Sequence, residues 1–376
     1  MTPNPSPWTC PFCPLMCDRL GVRRDAEGRR LELDGSDCAR ARAGLAQFSN
    51  APGGSTPLVD GRTVSLGGAV AAASRLLRAS RQPLFGGLGT DVAGARALYR
   101  LACATGAICD AAQGRALTQS LRAQQDRGAF TATLAEVRAR ADVIVFVGGL
   151  GLDHAPLLWD RLGFGDVAVA QRHVVAVGIS AQEQKRLALL GQKKGIRVES
   201  LPLHGDLFDT VSLLCAAVNQ RVPDVPPQIA ALAARLRDAR YGVFIGAPID
   251  FPAHAALLIE TVNRIVGQLN TKTRAAALWL GGGNGAATVN QAFTWLSGLP
   301  LRSRAGPRGL EHEPSCFDAA RLLEDGAVDA LLWLSSFDAA SAPPPMKLPL
   351  IVLGHPNLAA SCRRKGSVFL PVSTPG

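Results

Sequence analysis

Four cysteines near the start of the chain stand at a spacing suited to chemistry: Cys10, Cys13 and Cys17, then Cys38, a C-x2-C-x3-C-x20-C array. Two or three residues between thiolates let one tight loop wrap around a single centre, and the distant fourth closes the shell. Soft thiolate donors select iron–sulfur clusters or zinc over hard cations. Cysteines also pack as small hydrophobes, but the other five of the nine are scattered over the remaining residues, so the clustering reads as a metal-site module. The expectation is one [4Fe–4S] cluster held by Cys10, Cys13, Cys17 and Cys38. Zinc at the same thiolates and an empty, reduced loop are the alternatives.

No second constellation stands out. The six histidines are His154, His173, His204, His254, His312 and His355, with no H-x3-H pair and no H-E-x-x-H. No G-x-S-x-G nucleophile elbow occurs. His154 follows the glycine-rich Val147-Gly148-Gly149-Leu150-Gly151 and could face a cleft, although a lone histidine more often has a structural role. No catalytic residue is assigned.

These residues must be positioned by regular elements. Apolar runs of strand length occur at Pro83–Phe85, Val143–Val147, His173–Gly178, Val198–Leu203, Val243–Ile245, Ala275–Leu280, Ala330–Leu334, Leu348–Leu353 and Val368–Val372. Helical periodicity marks Leu66–Arg78, Thr131–Arg140, Leu207–Val218, Ile229–Arg240, Ala253–Leu269 and Phe317–Glu324. Arg30–Gly35 alternates like a short strand, and Ser49–Ser55 reads as a linker. Strands alternating with helices imply mainly parallel sheets covered on both faces. Three of the strands run into glycines: Phe85–Gly89, Val147–Gly151 and Leu280–Gly285. In open α/β sheets, ligands bind outside the carboxyl ends of the strands, so these turns are where a nucleotide-like cofactor would sit. None is a dinucleotide fingerprint. Gly281-x-Gly283-x-x-Ala286 comes nearest but lacks the acidic residue about twenty positions on.

The chain has 376 residues, 47% of them hydrophobic, and a formal charge of +10. Its length implies two or three domains. With two tyrosines and no aromatic-plus-basic run, it offers no stacking platform for nucleic acid. No apolar run reaches the ~18 residues of a membrane span, and no secretory signal is read at the start. Nine cysteines, an odd number with four of them clustered, argue for a reducing compartment, so the expected location is cytoplasmic.

The cysteine array followed by glycine-punctuated α/β segments resembles the molybdenum/tungsten bis-pterin oxidoreductases. More closely, Thr133–Gly148, Pro83–Gly89 and Ser367–Gly376, in that setting, resemble the B subunit of formylmethanofuran dehydrogenase. The resemblance covers nearly the whole chain. It implies a small N-terminal four-cysteine domain (1–55) followed by two interleaved doubly wound α/β domains. The first would comprise 56–140 and 236–310, and the second 141–235 and 311–376.

The resemblance also shows departures. In active relatives a Cys or selenocysteine binds Mo or W, and a gap-free match places that position near Ala116, within Gln113–Gln119, where no cysteine lies. Cys109 is the one nearby thiol. A methyl cannot replace a soft ligand. The pterin site therefore reads as abandoned, leaving Gly87, Gly89, Ala116, Gly149, Gly151 and Gly283 as vestigial loop positions and no Mo/W-pterin. A B subunit without its redox site is similar to the B subunit of the bacterial formyltransferase/hydrolase complex. That likeness implies a non-catalytic subunit whose partners are an amidohydrolase-like A chain, a C chain and a D transferase chain. These would move formyl groups from formyl-tetrahydromethanopterin via methylofuran to formate. An active dehydrogenase and a stand-alone metal-binding α/β protein are the competing expectations.

Overall fold

The computed structural model describes residues 6–27, 30–49, 56–165, 168–222 and 224–372. The expected linker at Ser49–Ser55 falls largely outside the described residues, as do the last four residues of the terminal segment Ser367–Gly376. The chain divides into two compact units, residues 1–115 with 282–376, and residues 116–281. Both are α/β, and their sheets are mainly parallel.

Residues 116–281 build a five-stranded, wholly parallel sheet in the order Ile196–Leu201, Arg172–Val177, Val143–Val147, Gly242–Gly246, Ala275–Trp279. A strand covered on both faces must be apolar on both, and Val143–Val147 reads Val-Ile-Val-Phe-Val, every residue buried. The helices start where their sequences supply a cap. Thr133–Glu136, Ser180–Glu183 and Asp206–Asp209 each form a reciprocal capping box, satisfying amide groups that the first turn leaves free. The core on one side gathers Val145, Phe244, Leu232, Leu258 and Val262. At the Ala275–Trp279 edge, Ala277 N–H bonds Phe130 O at 2.8 Å and Ala132 N–H bonds Ala277 O at 3.0 Å, so a segment of chain covers that edge.

Residues 1–115 with 282–376 carry a nine-stranded mixed sheet. Its centre is parallel: Ile108–Cys109, Pro83–Gly89, Ala330–Ser335, Leu350–Gly354, Ser367–Pro371. A hairpin, Ser303–Gly306 with Gly309–His312, extends one side, and Leu58–Val59 with Arg62–Thr63 extends the other, both antiparallel. In the same unit, Ser6–Trp8, Leu20–Arg24 and Leu31–Asp34 form a small antiparallel sheet, followed by the helix Ala39–Ser49.

The strand pairings depart from the interleaving that the resemblance implies. Gly242–Gly246 lies beside Val143–Val147, and Ala330–Ser335 beside Pro83–Gly89. Strands assigned to opposite domains therefore pair, and the chain makes one insertion (116–281) instead of two. The fit of Trp333 onto its neighbour shows why. A Cβ at Gly86 would lie 3.0 Å from the Trp333 ring, and one at Gly87 2.9 Å from it, so the glycines of one strand receive the indole of the other. Among the described residues no helix is long and apolar enough to cross a membrane.

Candidate functional site

The four cysteines come together. Cys10, Cys13, Cys17 and Cys38 are all buried. Cys10 N–H donates to Cys17 O at 2.9 Å, closing the loop on itself, and Met16 N–H donates to Cys13 O through a left-handed Met16 (φ 46°). Cys38 stands at the start of the helix Ala39–Ser49, where its carbonyl accepts from Arg42 N–H at 3.0 Å. The flat ring of Phe12 fixes loop against helix, because a Cβ at Gly44 would come within 2.6 Å of it. Burial pushes the Cys10 thiol up to about 12, with the neighbouring Cys13, Cys17 and Cys38 adding to the shift, and burial raises Cys13 too.

The donor chemistry is thus four buried sulfurs, of which Cys10 and Cys13 are held protonated by burial until a cation replaces the proton. Among the described residues no three His, Cys, Asp or Glu side chains are grouped around one metal-ion position. A four-iron cluster binds each thiolate to a different iron, so its ligands stand further apart than those of one zinc ion.

In residues 116–281 the strand order reverses between Val143–Val147 and Gly242–Gly246. A ligand of an open α/β sheet belongs in the crevice outside that point. Here the crevice is filled by the chain. Phe251, 9% exposed, stands edge-on to Trp279 with ring centroids 5.7 Å apart. A Cβ at Gly148 would lie 3.0 Å from the Phe251 ring, and one at Gly246 2.8 Å. Across the two loops His154 Nε2 contacts Asp250 Oδ2 at 2.8 Å. Gly149 abuts Glu183, whose carboxylate accepts from Leu150 N–H at 2.7 Å, and a Cβ at Gly151 would lie 2.5 Å from Leu280 Cδ1. His154 therefore does sit at a strand end, but it ties the loops together. Sequence reasoning missed Asp250, Phe251 and Trp279; that the first two follow directly on the strand Gly242–Gly246 was the available signal.

The parallel strands of the other unit end similarly. Gly87 (φ 76°) turns against the Trp333 indole, and a Cβ at Gly89 would lie 2.6 Å from Asn284 O. Asn284 Nδ2 donates to Ser335 Oγ at 3.1 Å. The cysteine-bearing segment reaches this same edge. Pro14 Cδ would lie 4.0 Å from a Cβ at Gly283, and Phe48 packs edge-on to the fully buried His355, centroids 4.3 Å apart. His355 Nδ1 accepts from Asn357 N–H, while its Nε2 and Asn284 Oδ1 have no partner among the described residues. A mostly apolar cavity of about 500 Å³ also opens here, with Thr90, Asp91 and Ser336 as its polar groups. Asp91 already caps the helix Val92–Thr105 by accepting from Gly94 N–H at 2.7 Å, so the position a phosphate would take holds a carboxylate.

Neither candidate ligand position for a metal–pterin is a loop thiolate. Ala116 lies in the first turn of the helix Gly114–Arg127, so Gln113–Gln119 is largely helical. Cys109 is 1% exposed within a strand, and burial pushes its thiol far up. Beside it, Asp110 contacts Arg302 Nε at 3.3 Å and accepts from Ala319 N–H at 2.9 Å, and Arg302 also pairs with Asp318. This buried cluster ties strand, hairpin and helix together.

No family model matches the sequence. The chain is 31% identical over 321 residues to the B subunit of the formyltransferase/hydrolase complex Fhc of Methylorubrum extorquens, covering 85% of each protein. It is 26% identical over 358 residues to the B subunit of a tungsten-containing formylmethanofuran dehydrogenase 2 of Methanocaldococcus jannaschii, covering 89% of this chain and 79% of that one. Among solved structures it matches a chain of the formyltransferase/hydrolase complex FhcABCD of Methylorubrum extorquens, crystallised with methylofuran. The TM-score is 0.71 at 30% identity, over 85% of this chain and 87% of the other.

Proposed function

The chain belongs to the family of formyltransferase/hydrolase complex B subunits, and on that premise we propose that it is a non-catalytic structural subunit of such a complex. The complex would pass formyl groups from formyl-tetrahydromethanopterin via methylofuran to formate. Its chemistry would lie in partner chains: an amidohydrolase-like A chain, a C chain and a D transferase chain. The observation that carries this reading is the filled crevice. At the strand-order reversal, where a cofactor would sit, Phe251 and Trp279 stand, with the loops joined by His154 and Asp250. The glycine turns at Gly87, Gly89, Gly149 and Gly151 fit protein atoms closely, so a bis-pterin group does not fit them.

The reading extends to organisation. Residues 1–55 form the four-cysteine domain, with Cys10, Cys13, Cys17 and Cys38 as ligands of one [4Fe–4S] cluster. When bound, such a cluster supplies covalent cross-links and an electron site; the residues suit it in softness and burial. The two α/β regions are doubly wound, divided as their sheets pair. The clustering of four of the nine cysteines at cluster-like spacing is in keeping with a reducing cytoplasm.

Co-expression of the tagged chain with the A, C and D chains from the same source tests the proposal. All four should co-purify, and the assembly should release formate from the formylated carrier without any electron acceptor. A chain that purifies alone and adds nothing to the stability of the other three would refute it.

A further inference from the structure

We propose that the edge strand Ile196–Leu201 pairs with its counterpart in a second copy of this chain, joining two five-stranded sheets into one. The two edges of this sheet are treated differently. The Ala275–Trp279 edge is covered by Phe130–Ala132, whereas among the described residues no strand or bridge lies outside Ile196–Leu201. Such an edge presents a row of free backbone donors and acceptors.

The register follows from the hydrogen bonds already made. Arg172 N–H donates to Gly195 O at 2.8 Å, and Ile196 is the residue opposite Arg172. In a parallel ladder the bonding residues alternate, so Arg197, Glu199 and Leu201 bond inward, while Val198 and Ser200 turn their amides and carbonyls outward and Ile196, whose N–H donates to Lys193 O at 3.2 Å, turns out only its carbonyl. A two-fold axis through Val198 sets Val198 opposite Val198 as the doubly hydrogen-bonded antiparallel pair, and Ile196 opposite Ser200, where Ser200 N–H can reach Ile196 O. Arg197 of one copy then falls opposite Glu199 of the other in a non-hydrogen-bonded pair, where side chains approach most closely.

This charge match singles out a second copy as the occupant. Arg197 is exposed, and Glu199 is half-buried. One Glu199 oxygen, Oε2, meets His173 at 3.2 Å and Arg235 at 3.3 Å. The facing groups on that side of the sheet are therefore Arg197, His173, Glu199 and Arg235. Burial and Arg235 hold the His173 imidazole below its usual range, so it does not compete as a cation. On the opposite face an open cleft of about 410 Å³ lies between Val198 and Leu187 of the helix Ala181–Leu190, room for the apposed Val198. Opposite charges two residues apart are self-complementary in this register alone. With the far edge covered, addition stops at two copies and does not propagate into a fibre.

The test is position-specific cross-linking of the full chain, alone and within its complex. In a hydrogen-bonded antiparallel pair the Cα atoms are about 5.5 Å apart, inside the range a disulfide spans. Val198→Cys should give a covalent homodimer under mild oxidation. Ser200→Cys and the wild type, with its exposed Cys103 and Cys316, should not. Arg197→Glu, which sets Glu against Glu199, should weaken the dimer at least tenfold by native mass or sedimentation. Val198→Pro should do the same without lowering the melting temperature appreciably, because that amide bonds nothing within the chain. Homodimer at equal yield in all three proteins, none from Val198→Cys, or Val198→Cys captured only by a different subunit would overturn the proposal. So would an unchanged dimer in Arg197→Glu, whatever Val198→Pro does to folding.

Discussion

Phe251 carries the argument at the scale of the residue. Its ring touches the positions of Gly148 and Gly246 and the edge of Trp279, so it fills space that a cofactor-binding crevice would leave open. Truncation leaves a cavity that rigid strand ends cannot close. Phe251→Ala is expected to cost about 3–5 kcal/mol, read as a lower urea midpoint. His154→Ala removes a partly exposed side-chain contact with Asp250 and is expected to cost ~0–1 kcal/mol. Equal costs would mean that the side chain of Phe251 is not the element closing the crevice. Asp110 makes a pH-dependent prediction. Burial raises its carboxyl from 3.8 to about 6, against the opposing pull of Arg302. The folded state thus holds this proton more tightly than the unfolded state. The stability this group contributes is greatest below about pH 4 and is lost as pH rises to about 6. Asp110→Asn keeps an acceptor for Ala319 N–H and removes the titration. The melting temperature of the wild type minus that of the variant should therefore fall between pH 4 and pH 6; a constant difference would contradict the assignment.

Elements show how such residues are held and how far they can be read beforehand. At Gly87 a positive φ coincides with close approach, since a Cβ would lie 2.7 Å from Leu334 O. Gly87→Ala should therefore cost more than ~1 kcal/mol, whereas Gly67→Ala, in a helix with open space around it, should be neutral or stabilising by up to ~1 kcal/mol. Thermal melts of the two variants compare them directly; equal effects would count against the packing account. Local signals predicted local structure well. Val143–Val147 and Leu207–Val218 have the bounds read from their apolar patterns, and Thr131–Arg140 shortens to Leu134–Arg140 because Thr133 caps it. The helices Val92–Thr105 and Ala286–Ser297 escaped notice because alanine and small residues blur their apolar stripe. Which parallel strands pair is a property of distant surfaces such as Trp333 on Gly86, and no window of sequence contains both. For the same reason the local cysteine spacing could prompt a metal-site expectation, while the His154–Asp250 contact, spanning 96 residues, left no mark in any one window.

The whole molecule combines a buried set of four thiols with two α/β regions whose turns at Gly87, Gly89, Gly148 and Gly246 lie against the chain's own atoms. If the thiols hold a four-iron cluster, anaerobically purified protein should carry iron and sulfide in near-equal amounts, and Cys38→Ser should lose most of both. Zinc instead of iron, or less than one metal in four chains after reconstitution, would contradict the cluster. The central claim is that this family member assembles a formyl-transferring complex without performing redox chemistry itself. The most direct test is viologen-linked formate oxidation by the purified chain and by the assembled complex, after expression with molybdate or tungstate. The account predicts no turnover in either and molybdenum or tungsten far below one per chain. Near-stoichiometric metal, with turnover that Cys109→Ser abolishes, would contradict it.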